Sequence, residues 1–329
     1  FAETVSDAIL AREPSEPIIV KGGISPSGVA HVGNFNEIIR GWFVAEVLRE
    51  RGHTVEQVFT SDDRDPLRSL PRQLADVDGA VVGLGEVDAG ALGRNLGAPY
   101  SAIPDPFGAR ASYAAHFTAL IEAEVAQLEI PVRMESTTAL YESGAFDPYI
   151  TRVLEDVERA RSVLGRFQDR VDDSYVPFNA VCQACGKITE TIEAVDLEAR
   201  TVTYRCTDLQ IGEQTMTGCG DTATVPFSAG KLPWRFEWPA EWDLLGVDFE
   251  PFGKDHAEGS WPSGVAIAEE TYGTGVPVPR VYEWFTLARA PRPASAGTVV
   301  PVDDALAMIE PAVFREFFPL SSCYCYPSS

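Results

Sequence analysis

Between Ile24 and Asn34 the chain reads Ile24-Ser25-Pro26-Ser27-Gly28-Val29-Ala30-His31-Val32-Gly33-Asn34. Gly28 and Gly33 would let backbone come close to a ligand. His31 and Asn34 lie three apart, so on the first turn of a helix both could face one ligand and donate hydrogen bonds to phosphoryl oxygens. A helix opening near Asn34 would turn its free N–H groups and partial positive charge toward the same spot. The chemistry indicated is phosphate binding. No Gly-Lys-Ser/Thr follows, so this is not a Walker loop. On spacing alone, an N-capping turn with a surface histidine fits as well.

A second set of chemical residues is Cys182, Cys185, Cys206 and Cys219. A Cys-x-x-Cys pair running into Gly186-Lys187, with two further thiols downstream, suits a structural zinc ion held by four thiolates. The wide spacing of the second pair leaves open reduced structural thiols, or a site lacking one ligand. Disulfides are not expected in a reducing compartment. Cys323 and Cys325 lie in a tail, residues 319–329, with neither helical nor strand pattern.

These groups need a scaffold. Residues 18–24 read as a short buried strand entering a glycine turn, residues 34–51 as a helix stopped by Gly52, and residues 55–60 as a second strand. Strand, loop, helix and strand in that order make a βαβ unit, so the expected fold is α/β, a parallel sheet with helices on both faces. Residues 71–110 read as a loop-rich excursion, 112–128 as a helix, 132–134 as a strand and 147–171 as one helix. Residues 178–226 change character: four cysteines, many threonines and alternating apolar residues over Thr201–Arg205 predict a small β-rich insert. A sheet pattern is expected to resume over residues 234–252.

Charge narrows the classes of function. Lys plus Arg number 26 and Asp plus Glu 49, a net charge of −23, so the average field repels nucleic acid and any RNA contact needs a local basic patch. Lysine occurs only at Lys21, Lys187, Lys231 and Lys254. Few lysines and many acids suit a cytoplasm at molar salt, where the screening length is about 3 Å; an ordinary acidic cytosolic enzyme is the alternative. No stretch reaches the roughly 20 apolar residues of a membrane span, and the first residues lack a basic region followed by an apolar run. A cytoplasmic protein with no membrane partner is expected. The chain does not begin with Met, so a fragment or processed product is expected.

The loop resembles more than a generic phosphate turn. Pro26-Ser27-Gly28-x-x-His31-Val32-Gly33-Asn34 is similar to the HIGH signature of class I aminoacyl-tRNA synthetases, with Asn at the fourth position. The flanks resemble the class I (archaeal-type) lysyl-tRNA synthetases through Gly23-Ile24-Ser25-Pro26-Ser27-Gly28, Asn34-Phe35-Asn36-Glu37 and Asp62-Asp63-Arg64-Asp65-Pro66-Leu67-Arg68. The same holds for Trp238-Pro239-Ala240-Glu241-Trp242 and for Gly246 through Gly253-Lys254-Asp255-His256. The resemblance runs in order over residues 5–318.

That resemblance implies a Rossmann-like parallel sheet with an inserted β-rich zinc-binding subdomain, divided into residues 1–177, an insert over 178–226, residues 227–290, and residues 291–318. It implies ATP and Mg²⁺, with Pro26, Ser27, Gly28, His31, Gly33 and Asn34 at the nucleotide and His31 and Asn34 as the catalytic pair. For lysine it implies Glu37 at the ε-ammonium, Gly23 and Ser25 at the α-amino and carboxylate groups, and Trp238, Tyr282 and Phe285 along the stem, with His256 in the pocket. Glu37 read alone could be a solvated helix residue, and Trp238 and Tyr282 core aromatics. His53 and His116 are assigned to surface or core.

The resemblance also implies a mobile KMSKS loop after Tyr282-Glu283-Trp284-Phe285, where this chain has Ala290-Pro291-Arg292-Pro293-Ala294-Ser295-Ala296-Gly297. The two expected lysines fall at Pro291 and Ala296, leaving Ser295 and Gly297 at the nucleotide and Arg289 or Arg292 as substitute cations. The expected partners are L-lysine and the acceptor end of tRNA(Lys), and a monomer is expected. A helical anticodon-binding domain is expected to be absent from this chain, consistent with a truncated form. A paralogue that adenylates lysine or a similar amino acid for another acceptor, or an inactive remnant, is the alternative.

Overall fold

The computed structural model describes residues 1–169, 171–211, 214–283 and 300–320. Five parallel strands form its main sheet: β1 (Ile18–Ile24), β2 (Val55–Ser61), β3 (Arg133–Ser136), β4 (Val247–Gly253) and β5 (Val278–Tyr282). They lie side by side in the order β5-β4-β1-β2-β3. The chain builds outward from β1 through β2 to β3, then returns to the other side of β1. This reversal opens a crevice beyond the carboxyl ends of β1 and β4, the position at which open α/β sheets bind ligands.

β1 shows why both faces are covered. Ile18 and Val20 pack with Val44, Ala45 and Leu48 of the helix Phe35–Glu50. Ile19 points the other way, into Trp238 and Trp242 of the helix Trp234–Leu244. Each buried Ile or Val contributes about 1.5–3 kcal/mol, and the alternation leaves Lys21 on the tryptophan side of the sheet. A lysine there needs carboxylate partners, and it has them.

The expected βαβ unit and parallel sheet are present. Two local readings are corrected. Residues 147–171 are not one helix: Asp147–Glu155 and Val157–Leu164 are separate, because Asp156 leaves helical geometry (φ −133°, ψ 68°) and caps the second with its side chain, accepting from Arg159 N–H at 3.0 Å. Residues 234–252 are not a continuous strand pattern: Trp234–Leu244 is a helix and only Val247–Gly253 is a strand. Trp234, Trp238 and Trp242 recur every fourth residue, which is helical spacing.

The excursion over residues 71–110 holds a small hairpin, Gln73–Ala75 with Val81–Gly83, and a short helix, Ala89–Arg94. The insert is antiparallel. Ile192–Asp196, Thr201–Arg205 and Thr222–Pro226 make one sheet. Asn179–Val181, Ile188–Thr189 and the returning strand Gly230–Lys231 make another. Phe178, Tyr204 and Val225 of the insert share a core with Tyr141, Phe236 and Ile267. No helix among the described residues is long and apolar enough to cross a membrane.

Candidate functional site

The loop after β1 is held by its own side chains. His31 Nδ1 accepts from Gly33 N–H at 3.1 Å, and Asn34 Oδ1 accepts from His31 N–H at 3.1 Å. With Nδ1 an acceptor, a neutral His31 carries its proton on Nε2. Burial keeps the imidazole below the usual histidine range. Asn34 spends its carbonyl on the loop and keeps its amide hydrogens for another acceptor. The chain returns to this loop: His31 bridges Pro301, and Val32 N–H donates to Val300 O at 3.0 Å. Pro26 is buried, Ser27 exposed, and Tyr113 donates its hydroxyl to Ser27 O at 2.9 Å. Ser295 and Gly297 lie outside the described residues, as do Phe285, Arg289, Arg292, Cys323 and Cys325.

Glu37 stands on the first turn of the helix behind this loop. Its Oε2 accepts from Gly23 N–H at 3.0 Å and its Oε1 from the Tyr282 hydroxyl at 3.0 Å. Glycine is required at residue 23, because a Cβ there would stand 2.2 Å from Thr60 Oγ1. Burial first, and then the Glu250 charge, push the Glu37 carboxyl up to about 7, against the Gly23 and Tyr282 hydrogen bonds. Glu37, Gly23 and Tyr282 thus form one unit at the ends of β1 and β5.

Trp238 and His256 form a neighbouring unit. Trp238 is buried, stacked on Trp234 with centroids 5.3 Å apart, with His256 at 5.6 Å and Phe252 edge-on at 5.5 Å. Its Nε1–H donates to Glu250 Oε1 at 2.8 Å. His256 is half-buried, and its Nδ1 is enclosed without a hydrogen-bond partner. Ser25 donates to Asp65 Oδ2 at 3.1 Å. His53 meets Glu16 at the surface (3.0 Å), and His116 is a core histidine bonded to Ala75 O at 2.9 Å.

Sequence reasoning missed the framework beneath these units. Lys21 lies 2.9 Å from Glu241 Oε2 and 3.1 Å from Glu250 Oε1. Lys231 pairs with Asp65, and with Glu237 at 2.9 Å. Tyr141 donates to Glu237 at 2.5 Å and accepts Leu232 N–H at 2.9 Å. Burial opposes the Lys21 charge, but Glu241 and Glu250 hold the ammonium above the usual lysine range. Asp63 receives Ser136 Oγ (2.5 Å), Thr137 Oγ1 (3.2 Å) and Thr138 N–H (2.7 Å), so part of the acidic run at 62–65 ties β2 to the element after β3. The signal was the scarcity of lysine: of only four in the chain, Lys21 and Lys231 are almost wholly buried.

The four insert cysteines converge, with all Sγ atoms within 4.8 Å of one another. Cys182 Sγ is 3.6 Å from that of Cys219, and Cys185 Sγ 3.7 Å from that of Cys206. Four thiolates about 2.3 Å from one tetrahedral ion would be about 3.8 Å apart, so the quartet fits such an ion. Burial works against the Cys182 thiolate, yet hydrogen bonds from Cys185 and Ala184 N–H and from Tyr204 bring the thiol down to about 7. Among the described residues no other group of three or more metal-ligating side chains is gathered this way.

Residues 1–322 match the family model described as tRNA synthetases class I (K). The lysine–tRNA ligases of Haloarcula marismortui and Halobacterium salinarum are each 59% identical over 318 residues, covering 97% of this chain and 58% of theirs. Lysine–tRNA ligase 1 of Methanosarcina acetivorans is 33% identical over 321 residues, covering 96% of this chain and 55% of its own. The chain therefore spans little more than half the length of these curated relatives. A solved structure titled a putative arginyl tRNA synthetase from Campylobacter jejuni aligns with 98% of this chain and 69% of its own, at 12% identity and a TM-score of 0.46, too distant to carry an argument.

Proposed function

Because this chain belongs to the class I (K) tRNA synthetases, we propose that it is the catalytic part of a lysine–tRNA ligase, activating L-lysine with ATP and passing it to the acceptor end of tRNA(Lys). The observation that carries this reading is the Glu37 carboxyl, fixed on both oxygens by Gly23 and Tyr282 at the mouth of the sheet crevice. A fixed carboxylate is what a lysine ε-ammonium needs, through charge-assisted hydrogen bonds. Trp238 and His256 supply the flanking ring surfaces, and the turn at Gly23 and Ser25 receives the α-amino and carboxylate groups.

In activation, a lysine carboxylate oxygen bonds to the α-phosphorus of ATP, the bond to the bridging oxygen breaks, and pyrophosphate leaves with the electron pair. The carboxylate is already a nucleophile, so no general base is required. Rate comes from alignment and from stabilising phosphoryl charge. His31 through Nε2–H, Asn34 through its amide, and the loop Pro26, Ser27, Gly28 and Gly33 are the groups proposed for that task. Ser295 and Gly297 are proposed to complete it, and Mg²⁺ to arrive with the nucleotide's phosphates. A zinc ion on Cys182, Cys185, Cys206 and Cys219 would cross-link the loops of the insert. The proposed setting is the cytoplasm, with the protein a monomer.

Lysine-dependent ATP–pyrophosphate exchange, run with and without tRNA(Lys) and followed by a charging assay, tests the reading. Exchange with tRNA present, and lysyl-tRNA formed, supports it. Exchange without charging would reassign the chain to amino-acid activation for another acceptor. No exchange under any condition would reduce it to a relative without the activity.

A further inference from the structure

The helix Phe35–Glu50 carries, besides Glu37, a charged side chain that none of the roles above uses. Arg40 follows Asn36 by four residues and Glu37 by three, so the three share one face of the helix. It is wholly buried. Taking a guanidinium out of water is costly, so its contacts bear on why it is there. Its Nε–H donates to Asn36 Oδ1 at 3.0 Å, and Nη2 donates to Phe318 O at 2.9 Å, in the helix Pro311–Leu320. The guanidinium carbon lies 5.7 Å from the centre of the Tyr282 ring and 5.6 Å from that of Phe1.

Two lines of contact lead from Arg40 to the two halves of the site. In the first, Arg40 donates to Asn36, the Asn36 amide donates to Gly33 O at 3.2 Å, and Gly33 N–H donates to His31 Nδ1 at 3.1 Å. Every donor points the same way, so the line ends by fixing Nδ1 of His31 as an acceptor and Nε2 as its protonated nitrogen. In the second, the guanidinium lies over the Tyr282 ring and restrains its tilt, and the Tyr282 hydroxyl donates to Glu37 Oε1 at 3.0 Å. Burial first, and then the Glu37 charge, hold the Tyr282 phenol above the usual tyrosine range, so it remains a donor.

We propose, on the strength of the ligase reading above, that Arg40 is a positioning residue for lysine activation, holding His31 through Asn36 and Gly33 and aiming Glu37 through Tyr282. It touches neither substrate. One planar guanidinium sets both the phosphate side and the ammonium side, and in-line attack needs both aligned at once. Lysine is no equivalent at this position. An ammonium on an unbranched stem lacks the fixed fork, so it cannot meet Asn36 Oδ1, Phe318 O and the Tyr282 ring together. A staple between two helices is the plainer role, since Phe318 packs with Ile38 and Ile39 of the same helix. Such a staple would change stability but not the preference for lysine.

The test compares wild type, Arg40→Lys, Tyr282→Phe, the double variant and Asn36→Asp, each checked for a cooperative melt. Calorimetry gives the Kd for lysine and for norleucine. ATP–pyrophosphate exchange with tRNA(Lys) present gives kcat at saturating substrates. Arg40→Lys is expected to cut the lysine-over-norleucine preference about three-fold or more and kcat about ten-fold or more. In the Tyr282→Phe background it is expected to cause no further loss of preference while still lowering kcat, because the hydroxyl it acts through is gone. Asn36→Asp keeps the acceptor for Arg40 and loses the donor to Gly33 O, so kcat should fall about ten-fold with the preference intact. A folded Arg40→Lys that keeps either the wild-type preference or the wild-type kcat overturns the proposal, whatever its melting temperature. So does an equal loss of preference with and without the Tyr282 hydroxyl, which would leave Arg40 a staple. A wild-type chain with neither lysine binding nor exchange overturns the ligase reading itself.

Discussion

The Tyr282 hydroxyl meets Glu37 Oε1 at 3.0 Å although the two residues stand 245 positions apart. One closes β5 and the other opens the helix after β1, and the Gly23 N–H holds the second carboxyl oxygen at 3.0 Å. This triangle aims a carboxylate that burial pushes up to about 7.

Removing either partner should weaken lysine binding. A hydrogen bond to a charged group contributes about 1.5–3 kcal/mol, so Glu37→Gln is expected to raise the lysine Kd by at least about ten-fold. Tyr282→Phe leaves the carboxylate charged but less well aimed, and a smaller loss is expected. Calorimetry with lysine and with norleucine reads this. If Glu37→Gln still preferred lysine over norleucine by the wild-type ratio, Glu37 would not be the ε-ammonium partner.

The raised Glu37 carboxyl gives lysine binding a pH signature. Below pH 7 the carboxyl holds a proton that the ammonium must displace, so lysine affinity should fall about ten-fold per pH unit well below that point and level off above it. For the ligand-free protein the sign is opposite. A carboxyl held above its ordinary value of 4.5 favours the folded state at low pH and withdraws that support as pH rises from about 4.5 to about 7. Isothermal titrations from pH 5.5 to 8.5 (~6 points) would show the slope in wild type, and its loss in Glu37→Gln; a flat wild-type profile contradicts the assignment.

The cysteine quartet should bind one zinc per chain, and stripping it should loosen the insert. Cys182→Ser, or prolonged chelation, is expected to lower the melting temperature and expose residues 178–226 to protease, because the site links two separated turns of a subdomain with small sheets. Metal analysis showing no zinc, together with unchanged proteolysis after chelation, would count against a structural metal.

Lys231 has Asp65 and Glu237 as buried partners. Lys231→Met leaves two enclosed carboxylates uncompensated, and a loss of about 3–5 kcal/mol is expected. Adding Glu237→Gln should recover part of it. Urea denaturation of the two variants measures both steps, and a loss under about 1 kcal/mol in the single variant would mean that the network relaxes to water.

Self-repulsion at −23 predicts a melting temperature that climbs with KCl, since the screening length falls from about 10 Å at 0.1 M to about 3 Å at 1 M. The exposed pairs Arg51–Asp7 and Arg205–Glu193 should lose strength over the same range, so the slope reports net repulsion overcoming pair loss. A melting temperature indifferent to salt would remove the high-salt reading.

Local pattern was enough for several elements. The β-branched run Ile18-Ile19-Val20, the glycine turn, and the helix that Gly52 ends were legible because each depends on neighbours in sequence. The four insert cysteines were legible as a set because a Cys-x-x-Cys pair with two further thiols downstream matches a tetrahedral ligand set. The break at Asp156 was not, since a capping aspartate competes with a helix only by its local hydrogen bond, which a periodicity reading does not see. The helix Trp234–Leu244 was misread because its apolar content masked a four-residue repeat.

What the amino-acid order settled by itself was the class of sheet and a β-rich insert carrying four cysteines, both set by short-range spacing. What only the folded chain decided was pairing at long range: Tyr282 with Glu37, Lys21 with Glu241 and Glu250, and Lys231 with Asp65. The reason is physical. A charge enters a low-dielectric interior only where opposite charge arrives from another strand, and which strands become neighbours depends on the sheet order.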